Sequence, residues 1–511
     1  MKSQLKAGAT LSYVALFINS AISIIYTPIM LSLLGQSEYG LYSLASATAG
    51  YVGVLNFGLG NALIRYTAKY KALNDEKRCS ELYGLFFIMY GTLGAVALVA
   101  GIILTLNADL VFSNSLSIEE LNKLEIIMGI MIANISIGIG LGMFNIIILA
   151  HEKFVFQKMI VILGSIINPL LMLPLLVKGY GAITMALVTA LLSLLTIIIN
   201  FNYCFKKIKI NISFEKLEKG LVKEIIIFSS YIFLNLIIGQ LYWSTDQVIL
   251  GIYSGTVAVS IYTIGVSFIG YFSGFSSAIS NVFLSKVSAM VMKGATDKEL
   301  SELFIKVGRI QYIIISFALS GFIVFGQEFI YLWVGREYSE SYIIAVIILA
   351  PMLVSLIQEM GGVILQAKNM QKFKSVVNIS IAILNVIMSV IFVQWWGAIG
   401  CAIATAISFT LGNIIIINIY YWKKVKINIP KYWVNILFMS TPFVISLLYG
   451  ITLNNQILAN YWTVLFIKIF VFSVAYILLM WMTGMNKYEK DLLIVPIKRI
   501  TRRLRIKDNV A

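Results

Sequence analysis

The sequence predicts an all-α, polytopic membrane protein of about fourteen transmembrane helices. Three observations predict it: composition, the alternation of basic segments, and an internal repeat. Of the 511 residues, 59% are hydrophobic and 12% charged, with mean hydropathy +0.90. A soluble chain carries roughly 25% charged residues to cover its surface. Halving that fraction while keeping long apolar runs leaves a surface suited to hydrocarbon.

The runs are long enough to span. A helix needs ~20 residues to cross the hydrocarbon core, and only helices or closed barrels satisfy their backbone groups there. A barrel would show ~10-residue alternating segments, whereas Leu11 to Leu34 reads LSYVALFINSAISIIYTPIMLSLL without alternation. Spans are expected near 11–34, 41–64, 83–106, 126–150, 159–177, 182–204, 226–251, 257–284, 312–334, 343–366, 376–396, 398–422, 434–453 and 463–485. The boundaries at Gly179–Gly181 and Gly397 carry the weakest signals. The first run is too long for a signal segment and lacks a small-residue cleavage site, so it is expected to remain as a helix.

Basic residues set the orientation. With the N-terminus cytoplasmic, the inner segments hold 2, 5, 2, 6, 5, 3, 4 and 8 Lys or Arg residues in order, 35 of the 39. The outer loops hold Lys123, Lys178 and Arg336, and Lys468 lies within the last span. This is the positive-inside pattern, and one missed helix would invert every later loop. Both termini are therefore expected in the cytoplasm, in an inner membrane. The net charge of +16 is accounted for by topology and anionic lipid, without nucleic acid. The tail KRITRRLRIK, Lys498 to Lys507, reads as a basic surface helix or an unstructured end.

The three cysteines, Cys79, Cys204 and Cys401, offer no extracytoplasmic pair and imply no disulfide framework. The single histidine, His151, has no His or Cys beside it, so no metal site is expected. No phosphate-binding P-loop occurs, so neither ATP nor another cofactor is expected.

Internal repetition is the third signal. Tyr42, Gly50, Tyr51 and Asn61 recur as Tyr262, Gly270, Tyr271 and Asn281, 220 residues later. Gly181-Ala182-Ile183 recurs as Gly397-Ala398-Ile399, 216 later, and KKIKINI at Lys206–Ile212 as KKVKINI at Lys423–Ile429, 217 later. Each offset equals six spans. An even number returns the chain to the same face, so the halves are parallel repeats. The expected organisation is a six-helix bundle at 1–225, a second at 226–430, helices 13–14 at 431–485, and a basic tail at 486–511. In such transporters the path lies between bundles that rock. The loops leave no room for a soluble catalytic domain.

Two stretches resemble polysaccharide-export flippases: LLGQSEYGLYSLASATAGYVGVLNFGLGNALIRYTAKY (Leu33–Tyr70) and STDQVILGIYSGTVAVSIYTIGVSFIGYFSGFSSAISNVFLSKVS (Ser244–Ser288). ILQAKNMQKFKS (Ile364–Ser375) resembles the loop after their tenth helix. These are Wzx-type members of the multidrug/oligosaccharidyl-lipid/polysaccharide exporter superfamily. The resemblance covers essentially the whole chain, including the six-plus-six-plus-two plan. It implies a V-shaped pair of bundles. It also implies export of an oligosaccharide on an undecaprenyl-diphosphate carrier, such as an O-antigen or capsule unit, with membrane lipids and a polymerase or assembly proteins as partners. In the superfamily's peptidoglycan-precursor flippases, cationic residues on the first two helices line the cavity. Here the first span has none, which argues against that cargo.

An ionisable group within a span costs ~2.5–3.5 kcal/mol on insertion scales, so each is a functional candidate. Asp246 lies in helix 7 beside Tyr242, Trp243, Ser244, Thr245 and Gln247, a polar run expected to face a cavity. It is a candidate for cation coupling or sugar binding, against the plainer role of a hydrogen-bond anchor. Glu359, beside Gln358 and Gly361-Gly362 in helix 10, is a second coupling candidate, against a packing partner. Arg65 ends helix 2, where its guanidinium suits bidentate phosphate contact; ordinary topological anchoring is the competing role. Lys286 stands near its repeat position in helix 8. Asn19, Asn56 and Asn61 could bond sugar hydroxyls or neighbouring helices. Lys468 is expected to snorkel to the interface, with Glu328 similar.

A multidrug exporter of the same superfamily is the nearest rival, although such exporters usually stop at twelve helices. A membrane polysaccharide polymerase or ligase would carry a long outer loop with catalytic Arg or His. The outer loops here hold three basic residues and no histidine, so an enzyme is not expected. An inside-negative potential pulls an anion outward by ~2.3 kcal/mol per charge per 100 mV, enough to drive a diphosphate head along a polar path. Exchange of an ion through Asp246 or Glu359 is the alternative coupling.

Overall fold

The structure, a computed structural model, describes residues 2–215, 219–456, 461–492 and 494–495; the basic stretch from Lys498 to Lys507 lies outside them. Among the described residues every regular element is a helix. The protein is multi-pass: twelve helical segments are long and apolar enough to cross a membrane. Several start on side-chain caps that take up free backbone N–H groups. Asp75 Oδ1 accepts the Arg78 N–H at 3.0 Å, and capping boxes open the helices Ile118–Leu141 (Ser117 with Glu120) and Asp297–Trp333 (Thr296 with Glu299).

Two of the twelve segments are too long for one crossing. Val14–Ala72 has 59 residues and Gln371–Lys423 has 53. At 1.5 Å rise they would extend about 88 and about 80 Å, against a core of about 30 Å. Each is broken by a glycine off the helical conformation, Gly35 (φ 78°, ψ 168°) and Gly397 (φ 53°, ψ −129°). Both breaks fall where the hydrophobic pattern divides spans. Gly179, at φ 86°, turns the chain between Phe154–Val177 and Ala182–Tyr203.

The repeat is written in the backbone as well. Left-handed residues recur as Gly35 and Gly255, Asn74 and Gly294 (each pair 220 apart), and Glu152 with Asn369, Lys209 with Lys426 (each 217 apart). Helix Ile118–Leu141 breaks before Met143–Ala150 just as Ser339–Ile357 breaks before Glu359–Ala367, which sets Gly142 opposite Gln358 at an offset of 216. Left-handed conformations are sparsely populated by non-glycine residues, so their return at the sequence offsets is independent support for two copies of one unit of structure.

The chain forms two compact units, Met1–Thr263 with Ala382–Ala404, and Ile264–Ile381 with Thr405–Ala511. In the first, Leu59–Ala72, Glu76–Leu106 and Met143–Ala150 pack around Tyr66, Tyr83, Phe86, Tyr90 and Phe144. Small residues let helices approach closely, as is usual in membranes: a Cβ at Gly94 would stand 2.8 Å from the Ser136 carbonyl oxygen. The opposite faces are apolar and bare. Leu187, Leu191, Leu195 and Ile198 form a helical stripe, each at least 45% exposed, the arrangement expected of a lipid-facing surface.

In the second unit, two buried ion pairs tie the last helices to Asp297–Trp333. Lys468 does not snorkel: its side chain is 1% exposed, and Nζ donates to Glu328 Oε1 and Oε2 at 2.9 and 2.7 Å. A carboxylate one helix away holds the ammonium in place. Arg309 makes a bidentate pair with Glu489, Nε to Oε1 at 2.6 Å and one Nη to Oε2 at 2.9 Å, and also donates to the Gly484 carbonyl at 3.0 Å.

Candidate functional sites at interrupted helices

Asp246 occupies the first turn of Thr245–Tyr253, which restarts after a break at Ser244. The positive end of a helix dipole favours an acid there. The side chain is buried at 1% exposure. Its Oδ2 accepts from Tyr262 Oη at 2.5 Å and its Oδ1 from Ser389 Oγ at 2.7 Å. Beside it, Tyr51 Oη and Thr245 Oγ1 are 2.5 Å apart, Gln240 Nε2 donates to the Ala47 carbonyl at 3.1 Å, and Gln247 Nε2 donates to Thr263 Oγ1 at 3.2 Å. Tyr51 and Tyr262 belong to the repeat motif, so the two copies of that motif serve one polar cluster. Such a carboxylate can bind a proton or a small cation. Tyr242 is buried and Trp243 exposed, their rings edge to face at 4.9 Å. The polar run is thus split: Thr245 and Asp246 turn inward while Trp243 turns out.

Glu359 has the same setting in the second unit. It opens Glu359–Ala367 after the break at Gln358 and is half-buried. It accepts from Ser277 Oγ at 2.7 Å and from Ser276 Oγ. Gln311 Nε2 extends the network to Ser276 Oγ and Ser280 Oγ at 3.0 and 2.8 Å. Gln358 and Asn418 exchange amide hydrogen bonds at 2.9 and 3.0 Å, and Trp433 Nε1 donates to the same Asn418 oxygen at 3.2 Å.

Arg65 is exposed, with its guanidinium carbon 5.2 Å from the Phe228 ring centre and 5.7 Å from that of Tyr66. It forms no ion pair among the described residues, leaving its donors available to an anion. Lys286 is exposed in the other unit. Asn19 and Asn61 are exposed on their helices, and Asn56 sits in the turn Val54–Asn56, where the helix unwinds through left-handed Phe57 and Gly58. His151, outside the spans, is kept below the ordinary imidazole value by burial and bonds the Ile147 carbonyl oxygen through Nδ1 at 2.9 Å. Among the described residues no cluster of three His, Cys, Asp or Glu could hold a metal ion.

The second unit also contains an apolar groove of about 270 Å³ lined by Phe268, Phe272, Phe317, Phe322, Phe325 and Phe472. Sequence reasoning missed this groove, the Arg309–Glu489 pair, and the Tyr262 and Ser389 partners of Asp246. Only Tyr262, through the repeat, had a signal that could have revealed it.

The family described as polysaccharide biosynthesis protein matches residues 5–284, more than half of the chain. The chain belongs to that family. A probable flippase of Haloferax volcanii is 21% identical over 433 residues, 81% of this chain and 83% of its own. A probable low-salt glycan biosynthesis flippase of the same organism is 24% identical over 207 residues, and the match spans only 44% of its length. In fold, this member of the family is similar to the lipid II flippase MurJ in an inward closed conformation (TM-score 0.73, 17% identity, 95% of this chain and 100% of that one). It is also similar to an inward-facing multidrug resistance MATE transporter (TM-score 0.63, 17% identity, 80% and 99%). Membrane, flippase and polysaccharide-biosynthesis relationships therefore agree.

Proposed function

We propose that the chain flips a lipid-linked oligosaccharide, carried on undecaprenyl diphosphate, from the inner to the outer leaflet of the cytoplasmic membrane. The observation that carries this reading is the placement of polar side chains at helix interruptions inside apolar spans. Irregular backbone at membrane depth is tolerated only where it is buried in protein or lines a wet cavity, and discontinuous helices mark substrate and ion sites in transporters. The phenylalanine groove against helix Trp462–Leu479 suits an isoprenoid tail. Family membership favours a glycan head group.

Fourteen crossings follow when the segments broken at Gly35 and Gly397 each cross twice, with both termini cytoplasmic. The halves 1–225 and 226–430 then alternate in exposing the path, while helices 13–14 at 431–485 serve the tail. Arg65 and Lys286 receive the diphosphate at the cytoplasmic end; Asn19, Asn56, Asn61, Tyr242, Trp243 and Gln247 line the path. Asp246 and Glu359 carry a coupling proton or cation if an ion gradient is used; otherwise the potential itself drives the anionic head outward. A multidrug exporter is the second reading, favoured by the likeness to the MATE fold.

A deletion strain distinguishes them. Lipid-linked sugar should accumulate on the inner leaflet when the chain is absent, with drug tolerance unchanged. Normal leaflet distribution together with drug sensitivity would replace the flippase reading with the exporter.

A further inference from the structure

The first unit contains an open-sided cavity of about 440 Å³ that none of the charged groups above lines. It lies within the range of small-molecule sites, ~300–1,000 Å³. Its lining includes the amides of Asn56, Asn145, Gln157 and Asn200 and the hydroxyls of Tyr90, Ser193 and Thr196, and no Asp, Glu, Lys or Arg lines it. The side chains of Asn56, Asn145, Gln157 and Asn200 make no hydrogen bond to any described residue, and Gln157 Oε1 is buried without a partner. Asn200 is buried, Asn145 and Gln157 are half-buried and Asn56 is exposed. Buried polar groups are normally satisfied, so the unbonded amides of Gln157 and Asn200 facing this space call for a polar occupant.

Two interrupted helices border that space. One unwinds at Val54–Gly58, beside Asn56; the other breaks at Gly142, beside Asn145. The repeat explains why the space is open. At the corresponding break in the second unit stands Gln358, whose amide is saturated by Asn418. Gly142 has no side chain to do the same, and a Cβ there would come within 2.7 Å of the Gly138 carbonyl oxygen.

We infer that this cavity is a binding pocket for uncharged sugar residues, the glycan part of the cargo; the inference rests on the flippase reading. Amides and hydroxyls both donate and accept, as sugar hydroxyls do, and the aliphatic side chains between them, such as Ile146 and Ile197, can pack the C–H faces of a ring. A diphosphate would require cations and a cationic drug a carboxylate; the lining supplies neither. The pocket sits toward the ends of its helices nearest Lys153, Lys158 and Lys206, which under the proposed topology is the side where cargo is made. It is therefore a loading site, separate from Asp246.

The test uses the full-length chain in lipid nanodiscs. Saturation-transfer NMR is recorded with a panel of neutral hexoses, N-acetylhexosamines and their disaccharides, and binding of glycan-free undecaprenyl diphosphate is measured in parallel. At least one sugar should bind the wild type. Binding should weaken about tenfold or more in Asn145→Leu/Gln157→Leu, which removes two hydrogen-bonding groups, and in Ser193→Phe, which fills the space. Both variants should retain wild-type affinity for undecaprenyl diphosphate, which also reports that they are folded. Sugar binding unchanged in the variants, or no sugar bound while undecaprenyl diphosphate binds, overturns the pocket and leaves the flippase reading standing. If neither sugar nor undecaprenyl diphosphate binds, both fall.

Discussion

Glu489→Gln should be among the most destabilising isosteric changes in the second unit. The Arg309 and Glu489 side chains are 8% and 2% exposed, so neither charge is hydrated. Glu489 Oε1 and Oε2 accept two charge-assisted bonds from the guanidinium at 2.6 and 2.9 Å, and Oε2 also accepts from the Asn486 backbone N–H at 2.8 Å. Hydrogen bonds to charged groups contribute about 1.5–3 kcal/mol each. An amide in place of the carboxylate turns one acceptor into a donor facing a donor and leaves Arg309 with Gly484 O and Asn435 Oδ1 as its uncharged partners. The loss expected for breaking a buried pair from one side is about 3–5 kcal/mol. SDS-titrated unfolding of the purified chain, followed by loss of helical circular dichroism, should show the midpoint fall. Arg309→Met/Glu489→Leu should recover most of that loss, because replacing both charges by apolar groups removes the desolvation penalty. A Glu489→Gln midpoint equal to wild type, or a double variant that loses the sum of the two single changes, would show that the pair is not a buried, charge-dependent tie.

Asp246→Asn should insert normally yet abolish export, whereas Tyr262→Phe, which removes one donor to the carboxylate, should lower export less; wild-type export by Asp246→Asn would remove the carboxylate from the mechanism. Gly35→Ala should cost about 1–3 kcal/mol from backbone strain alone, since φ 78° with ψ 168° is a region open essentially to glycine and no atom lies within 4 Å of a new Cβ; an unchanged SDS midpoint would show that the break can relax. Single cysteines at Lys206 and Lys423 should be labelled by impermeant reagents from one face of the membrane, the cytoplasmic one. Labelling from opposite faces would end the parallel-repeat topology.

The long apolar runs were legible from composition alone, whereas the boundaries at Gly179 and Gly397 left only weak marks in the sequence, although both glycines, like Gly35, carry off-helix conformations. The repeat was legible from a handful of motifs and reappears in left-handed residues that no motif search would use, such as Glu152 and Asn369. Asp246 and Glu359 stood out because charge is rare in hydrocarbon. What pairs with what was not legible. Lys468 and Glu328 are 140 residues apart, and nothing local distinguishes a buried ammonium from a snorkelling one. Arg309 counted among the topological cations, although it is sealed against a residue 180 positions on. The amide-lined cavity was hidden for a different reason: it exists because Gly142 lacks the side chain that Gln358 provides, and an absence of atoms leaves no mark in composition.

The purified chain, reconstituted alone into vesicles, should move a lipid-linked sugar from one leaflet to the other. Undecaprenyl-diphosphate-linked sugar is supplied in one leaflet, its arrival in the other is read by an impermeant sugar-modifying reagent, and an inside-negative potential is imposed or collapsed. Transfer should require the chain. Transfer no faster than in empty vesicles, under a potential and with proton and sodium gradients supplied in turn, would show that the chain is not a flippase for this cargo.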